Sequence, residues 1–221
     1  MTHRERPIIF SAPMVRAILE GSKTQTRRVV KWPAWMQPHP EVFASDLRDG
    51  QEVWYVPGGD QPSKAMRCPY GQPGDRLWVR ETFLHVTKME NECFVVDDDE
   101  NYVEETWYRA DRKAYSYHPD GSEESTEAIP WKPSIHMPRT ASRITLEVTE
   151  VRVERLQDIS HIDAMAEGCS TGSWTIAEGP RPDAPFGSNA VKRYRLLWES
   201  INGPGSWEAN PSVWVVEFKR C

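Results

Sequence analysis

The residues best suited to chemistry lie together between Gly21 and Arg28, where the chain reads Gly-Ser-Lys-Thr-Gln-Thr-Arg-Arg. Lys23, the hydroxyls of Thr24 and Thr26, and the guanidiniums of Arg27 and Arg28 make an anion-facing set. An ammonium beside a threonine hydroxyl can ease that hydroxyl's ionisation or hold a polarised carbonyl oxygen, and guanidiniums can clamp phosphate. The same composition also suits the solvated edge of a strand. A P-loop is excluded, because Gly-x-Lys here lacks the preceding glycine and the four-residue spacer. Arg80 and Glu81 are a second candidate pair: adjacent in a strand-like run, they point to opposite faces, so one of the two charges must find a partner inside.

These groups need elements to hold them. Pro7 to Phe10 predicts a short strand, and Ala12 to Glu20 a helix whose apolar face is Met14, Val15, Ile18 and Leu19, ended by Gly21. Thr24 to Lys31 alternates as a strand with Thr24, Thr26 and Arg28 on one face. Prolines and glycines between Trp32 and Gln72 predict an irregular insertion with one hairpin near Val53 to Val56. Pro73-Gly74-Asp75 turns into a strand from Arg76 to Phe83. A second excursion follows Lys88, with strands around Phe94 and Tyr108.

The longest strand signal runs from Arg143 to Leu156, and its apolar positions change parity at Thr149-Glu150, as a β-bulge requires. Ser160 and Asp163 have the spacing of a capping box for a short helix that Gly168 closes. An amphipathic helix over Asn189 to Ile201 and a strand over Val213 to Phe218 complete the chain. The fold class is mixed α+β with about five or six core strands. Short strands bent by a bulge favour a small β-barrel over an open sheet.

At 221 residues, with 38% hydrophobic and 27% charged side chains and ten tryptophans, the chain is expected to fold as one globular domain spanning residues 1–221, with insertions at about 32–72 and 88–138. No apolar run approaches the roughly 18 residues of a membrane span, and no signal core follows the charged N-terminus, so no membrane partner and a cytoplasmic location are expected. Four cysteines without a C-x-x-C pair, and six histidines without ligand spacing, lead us to expect reduced thiols, no metal site and no cofactor. The net charge is −6, but Lys88 to Glu127 alone carries −9 and the remainder +3; the first 31 residues hold seven basic against two acidic side chains. Phosphate responds to such local fields rather than to the total. Trp78, Trp198, Trp207 and Trp214 could stack on bases, although core packing is the commoner use of tryptophan.

The block from Ile8 to Arg28, with Gly21, Lys23 and Arg28 in a Gly-x-Lys-x-x-x-x-Arg core, resembles the signature of ASCH domains, which belong to the PUA-like β-barrel superfamily. Gly74 to Glu81, Leu156 to Gly168 and Val213 to Lys219 are similar to three further stretches of that family, in the same order. Together they cover about half of the chain. Phe10 to Arg16 and Gly71 to Asp75 resemble the larger ASCH proteins of bacteriophages and prophages, which implies a bacterial host cell.

The resemblance implies a cleft lined by the Gly-x-Lys segment and a partner that is a nucleoside, RNA or DNA. Small ASCH amidohydrolases deacetylate N(4)-acetylcytidine with a lysine, a threonine and a glutamate, roles that fall on Lys23, Thr26 and Glu167. Thr26 would attack or orient water, Lys23 would activate it and stabilise charge, and Glu167 would pass the proton to the leaving amine. Thr24, Arg27, Arg28, Arg80 and Glu81 are the candidate contacts to substrate or nucleic acid. A non-catalytic RNA or modified-DNA binding module and a metal-independent ribonuclease are the alternatives, since a fold does not fix a reaction.

Overall fold

The structure is a computed structural model and describes residues 4–34, 44–48, 51–55, 65–89, 102–111, 131–169 and 190–221. It is mixed α+β. Five strands pair in the order β1 (Glu5–Ile9), β5 (Arg76–Arg80), β8 (Thr145–Arg155), β9 (Ser212–Arg220), β2 (Gln25–Val29). The hydrogen bonds from Arg76 N to Arg4 O and from Phe10 N to Arg80 O run β1 and β5 in parallel. The β8–β9 and β9–β2 pairs are antiparallel, so the sheet is mixed. The barrel favoured by the sequence is not formed among the described residues: β1 and β2 stand at the two ends of an open ladder.

The chain forms two compact units, Met1–Arg6 with Ala17–Leu77 and Thr145–Cys221, and Pro7–Arg16 with Trp78–Ile144. In the first unit β9 is the central strand. Val213, Trp214, Val215 and Val216 are all buried, the continuous apolar run of a strand covered on both faces. The register with β8 shifts between Val148 and Glu150, where the sequence changes parity, so the apolar side chains before and after the bulge face the same interior.

Three helices attach to this framework: α1 (Ala12–Leu19), α2 (His161–Ala166) and α3 (Ala190–Asn202). Helix α2 opens with the expected capping box, Ser160 accepting from Asp163 N while the Asp163 carboxylate accepts from Ser160 N. The hairpin expected near Val53 to Val56 is β3 (Ala44–Arg48) paired with β4 (Gln51–Tyr55). Trp54 from β4 meets Trp214 edge-on at 4.5 Å between ring centroids. Trp198, Trp207 and Trp214 are all buried.

In the second unit the strand expected from Arg76 to Phe83 is interrupted. β5 stops at Arg80 and β6 (Phe83–Met89) begins a separate hairpin with β7 (Tyr102–Tyr108). At the break Glu81 N points to the sulfur of Met137 at 3.3 Å instead of joining the ladder, a partner 56 residues away in the chain. Phe83, Met137 and Ala141 form the small core there, with Tyr108 packed on it. The strand expected around Phe94 lies outside the described residues. No described helix is long and apolar enough to cross a membrane.

Candidate functional site

The first unit builds its buried polar site from two helix ends. Helix α1 ends at Gly21, whose positive φ of 76° lets Gly21 N reach Ile18 O at 3.1 Å and Ser22 N reach Ala17 O at 2.9 Å. Helix α2 ends the same way at Gly168, φ 90°, with Gly168 N on Met165 O at 2.9 Å and Cys169 N on Ala164 O at 3.1 Å. Both are the paired closing bonds of a Schellman motif. The first delivers Lys23 two residues after its glycine. The second leaves Glu167 as the last residue before its own. An isolated bridge joins these two positions, and Thr24 N donates to Ala166 O at 2.8 Å.

Lys23 and Glu167 therefore meet although 144 residues separate them. Lys23 Nζ donates to Glu167 Oε2 at 2.7 Å, Glu167 O at 3.0 Å and Gln25 O at 2.8 Å, which uses the three donors of an ammonium. The two residues are only 2% and 3% exposed. Gly168 is required here twice over: beyond its positive φ, a Cβ on it would stand 3.1 Å from Ala17 Cβ and 3.4 Å from Lys23 Cβ.

Arg27 supplies the second cation. Its side chain is fully buried, with Nη1 3.4 Å from Glu167 Oε1 and Nη2 3.0 Å from Glu154 Oε2 and 3.5 Å from Asp163 Oδ2. Its Nε is buried without a hydrogen-bond partner. Arg152 extends the network to Glu150, Glu154, Asp163 and Glu217. Gln25 ties strand to helix through Nε2 to Asp163 O at 3.0 Å. Burial acts to raise the Asp163 carboxyl, but the hydrogen bonds from Ser160 and the charge of Arg27 outweigh it and hold the group below its ordinary value. Near the pair, burial pushes the Cys169 thiol up to about 12, the Lys23 charge opposing. Burial likewise raises the Tyr194 phenol, with the Glu167 charge adding to it. Both are thus neutral donors at ordinary pH.

Of the residues singled out by sequence, Lys23, Glu167 and Arg27 are hydrogen-bonded together. Thr26 is buried, but it pairs with Val216 opposite Val151, and strand alternation sets it on the sheet face away from Gln25 and Arg27. No hydrogen bond links its hydroxyl to Lys23 or Glu167 among the described residues. Arg28 is half-buried on that same alternate position, and the Thr24 side chain is exposed.

Arg80 and Glu81 belong to the second unit and have their own surroundings. Glu81 is 1% exposed and takes both arms of Arg143, at 3.0 and 3.1 Å, while Arg143 also grips Asp111 and lies 3.9 Å over the Tyr108 ring. Burial raises the Glu81 carboxyl despite that pairing. Arg80 donates to Ile135 O and sits 5.4 Å from the Trp78 ring centroid.

Sequence reasoning missed Gln25, Glu154, Asp163 and Arg152 as parts of the site. The available signal was the parity of β2 and β8: Gln25 and Arg27 on one strand, Arg152 and Glu154 on the other, all on one sheet face. Among the described residues no group of three or more His, Cys, Asp or Glu side chains is placed to hold a metal ion. No family model, curated protein or solved structure matches the chain.

Proposed function

We propose that the chain is an ASCH-type amidohydrolase acting on N(4)-acetylcytidine-type nucleosides, with Lys23 and Glu167 as its working pair. The observation that carries this reading is the buried 2.7 Å contact between Nζ and Oε2 of two residues distant in sequence. Amide hydrolysis needs a group to accept and return a proton and a cation for the developing oxyanion. In this reading Glu167 takes the proton of an attacking water and hands it to the N4 amine as the C–N bond breaks. Lys23 exchanges one backbone carbonyl for the oxyanion, and Arg27 keeps the carboxylate in place.

Thr26, on the other face of β2, is not needed in that sequence of steps, so water is the nucleophile the geometry favours. The carboxylates of Glu154 and Asp163 around Arg27 would repel phosphate, which favours an uncharged nucleoside over a strand. An open sheet bent by the bulge in β8 stands where the resemblance implies a PUA-like barrel, and a phage-encoded protein of the bacterial cytoplasm is the setting the resemblance implies.

One observation favours a second reading, a non-catalytic binding module: the donors of Lys23 are already engaged, as in a structural ion pair. Incubation with N(4)-acetylcytidine separates the two. The first reading requires cytidine and acetate to appear, with Thr26→Ala retaining most of the rate; absence of turnover under conditions where an authentic deacetylase works removes it. Binding of unreacted nucleoside by a protein without turnover is the result the second reading requires.

A further inference from the structure

The first unit contains a solvent-open hollow of about 30 Å³, formed where the start of β1 meets the turn that precedes β5. Its lining includes Arg4, Arg6, Arg67, Gln72, Asp75 and Trp54, and none of the residues of the Lys23–Glu167 site. Three guanidiniums thus stand around one space, and among the described residues none of the three makes an ion pair. Arg6 is anchored through Nη1 to Pro69 O at 3.1 Å, and its Nε is buried with no partner.

The one carboxylate present does not neutralise this set. Asp75 is 8% exposed; its Oδ1 accepts from the backbone N of Arg4 at 3.3 Å, and its Oδ2 is buried without a hydrogen-bond partner. Three positive charges against one leave the hollow cationic in a chain whose net charge is −6. The local field is therefore a property of this place and not of the molecule.

The geometry points to a second, separate binding site here, for a phosphate-bearing ligand. Guanidinium forks match phosphate oxygens in shape and charge, and a group with unspent N–H donors gains most from an anion that supplies acceptors. The space of the hollow is small, about 30 Å³, the room of about two or three waters, so it takes a phosphate group and leaves the rest of the ligand at its open side. The half-buried Gln72 adds a hydrogen-bonding partner for the rest of the ligand. The phosphate can come from a nucleoside monophosphate or from the backbone of a strand.

Isothermal titration calorimetry on the full chain tests this with cytidine, cytidine 5′-monophosphate, inorganic phosphate and a short single-stranded oligonucleotide. The site requires the monophosphate or the oligonucleotide to bind, and at least about tenfold tighter than cytidine at the same site. Affinity must fall as salt rises. Equal affinity for monophosphate and oligonucleotide identifies a nucleotide site, whereas tighter oligonucleotide binding with a steeper salt slope identifies a strand-binding one. Arg6→Ala combined with Arg67→Ala must weaken binding about tenfold or more. Arg67 is exposed, so Arg67→Ala alone reads the site if the double variant does not fold. The proposal is overturned if no phosphate-bearing probe binds, or if the arginine variants bind as the wild type does. Because Lys23 is outside the hollow, either result leaves the amidohydrolase reading standing or falling on its own test.

Discussion

At the scale of single residues, the central feature is a lysine and a glutamate taken out of water together. Burying either charge alone is expensive, and the pair repays that cost only through short contacts and the further partners that each has found. Truncating one member leaves the other without its compensation: Lys23→Ala should cost about 3–5 kcal/mol in urea unfolding. Lys23→Met combined with Glu167→Gln should cost clearly less than the two single changes added together, the deficit from additivity being the coupling of the pair. The cysteines give a second check at this scale. Burial holds the Cys68 and Cys169 thiols protonated, each pushed up to about 12, whereas Cys221 is exposed. Alkylation of the native protein, followed by peptide mass spectrometry, should therefore label Cys221 well before Cys68 or Cys169.

At the scale of elements, two helix endings and one strand do the positioning. Gly168→Ala places a Cβ against Ala17 and Lys23 at a positive φ. It should lower stability by about 1–3 kcal/mol, and the backbone around Glu167 must shift to accept it. The capping box gives a pH prediction. The Asp163 carboxyl lies below its ordinary value of 3.8, so the stability it contributes is complete above that value and is lost as pH falls through the folded-state pKa. Thermal melts of Asp163→Asn should lie below the wild type near neutrality and converge on it in acid.

These elements were largely legible in the sequence because each rests on a local rule. The box spacing of Ser160 and Asp163, the glycines that end α1 and α2, and the parity change at Thr149-Glu150 are all short-range signals. The end of β5 was not legible, because what stops it is Met137, brought to Glu81 N by tertiary packing. The partners of Glu81, Arg143 and Asp111, were hidden for the same reason.

At the scale of the whole molecule, charge is distributed by region. The acidic stretch from Lys88 to Glu127 accounts for more than the full net charge of −6, and the rest of the chain is mildly basic. Within that remainder the structure separates two cationic groups of opposite character. Lys23 and Arg27 are enclosed by Glu154, Asp163 and Glu167, whereas Arg4, Arg6 and Arg67 stand around open space. The sequence pointed to the first group through a resemblance that names Lys23 and Glu167. Of the second it showed only the basic N-terminal stretch that holds Arg4 and Arg6; Arg67 is distant in the chain and joins them only after β1 and the turn before β5 come together.

Glu167→Gln is the decisive variant for the amidohydrolase reading, since the amide keeps the shape and much of the hydrogen bonding of the carboxylate while removing its basicity. Its initial rate on N(4)-acetylcytidine, measured beside the wild type with both proteins shown folded by circular dichroism, should be lower by about 10²–10⁴-fold, the usual contribution of a positioned acid–base group. A Glu167→Gln protein that turns over substrate as fast as the wild type would contradict the account.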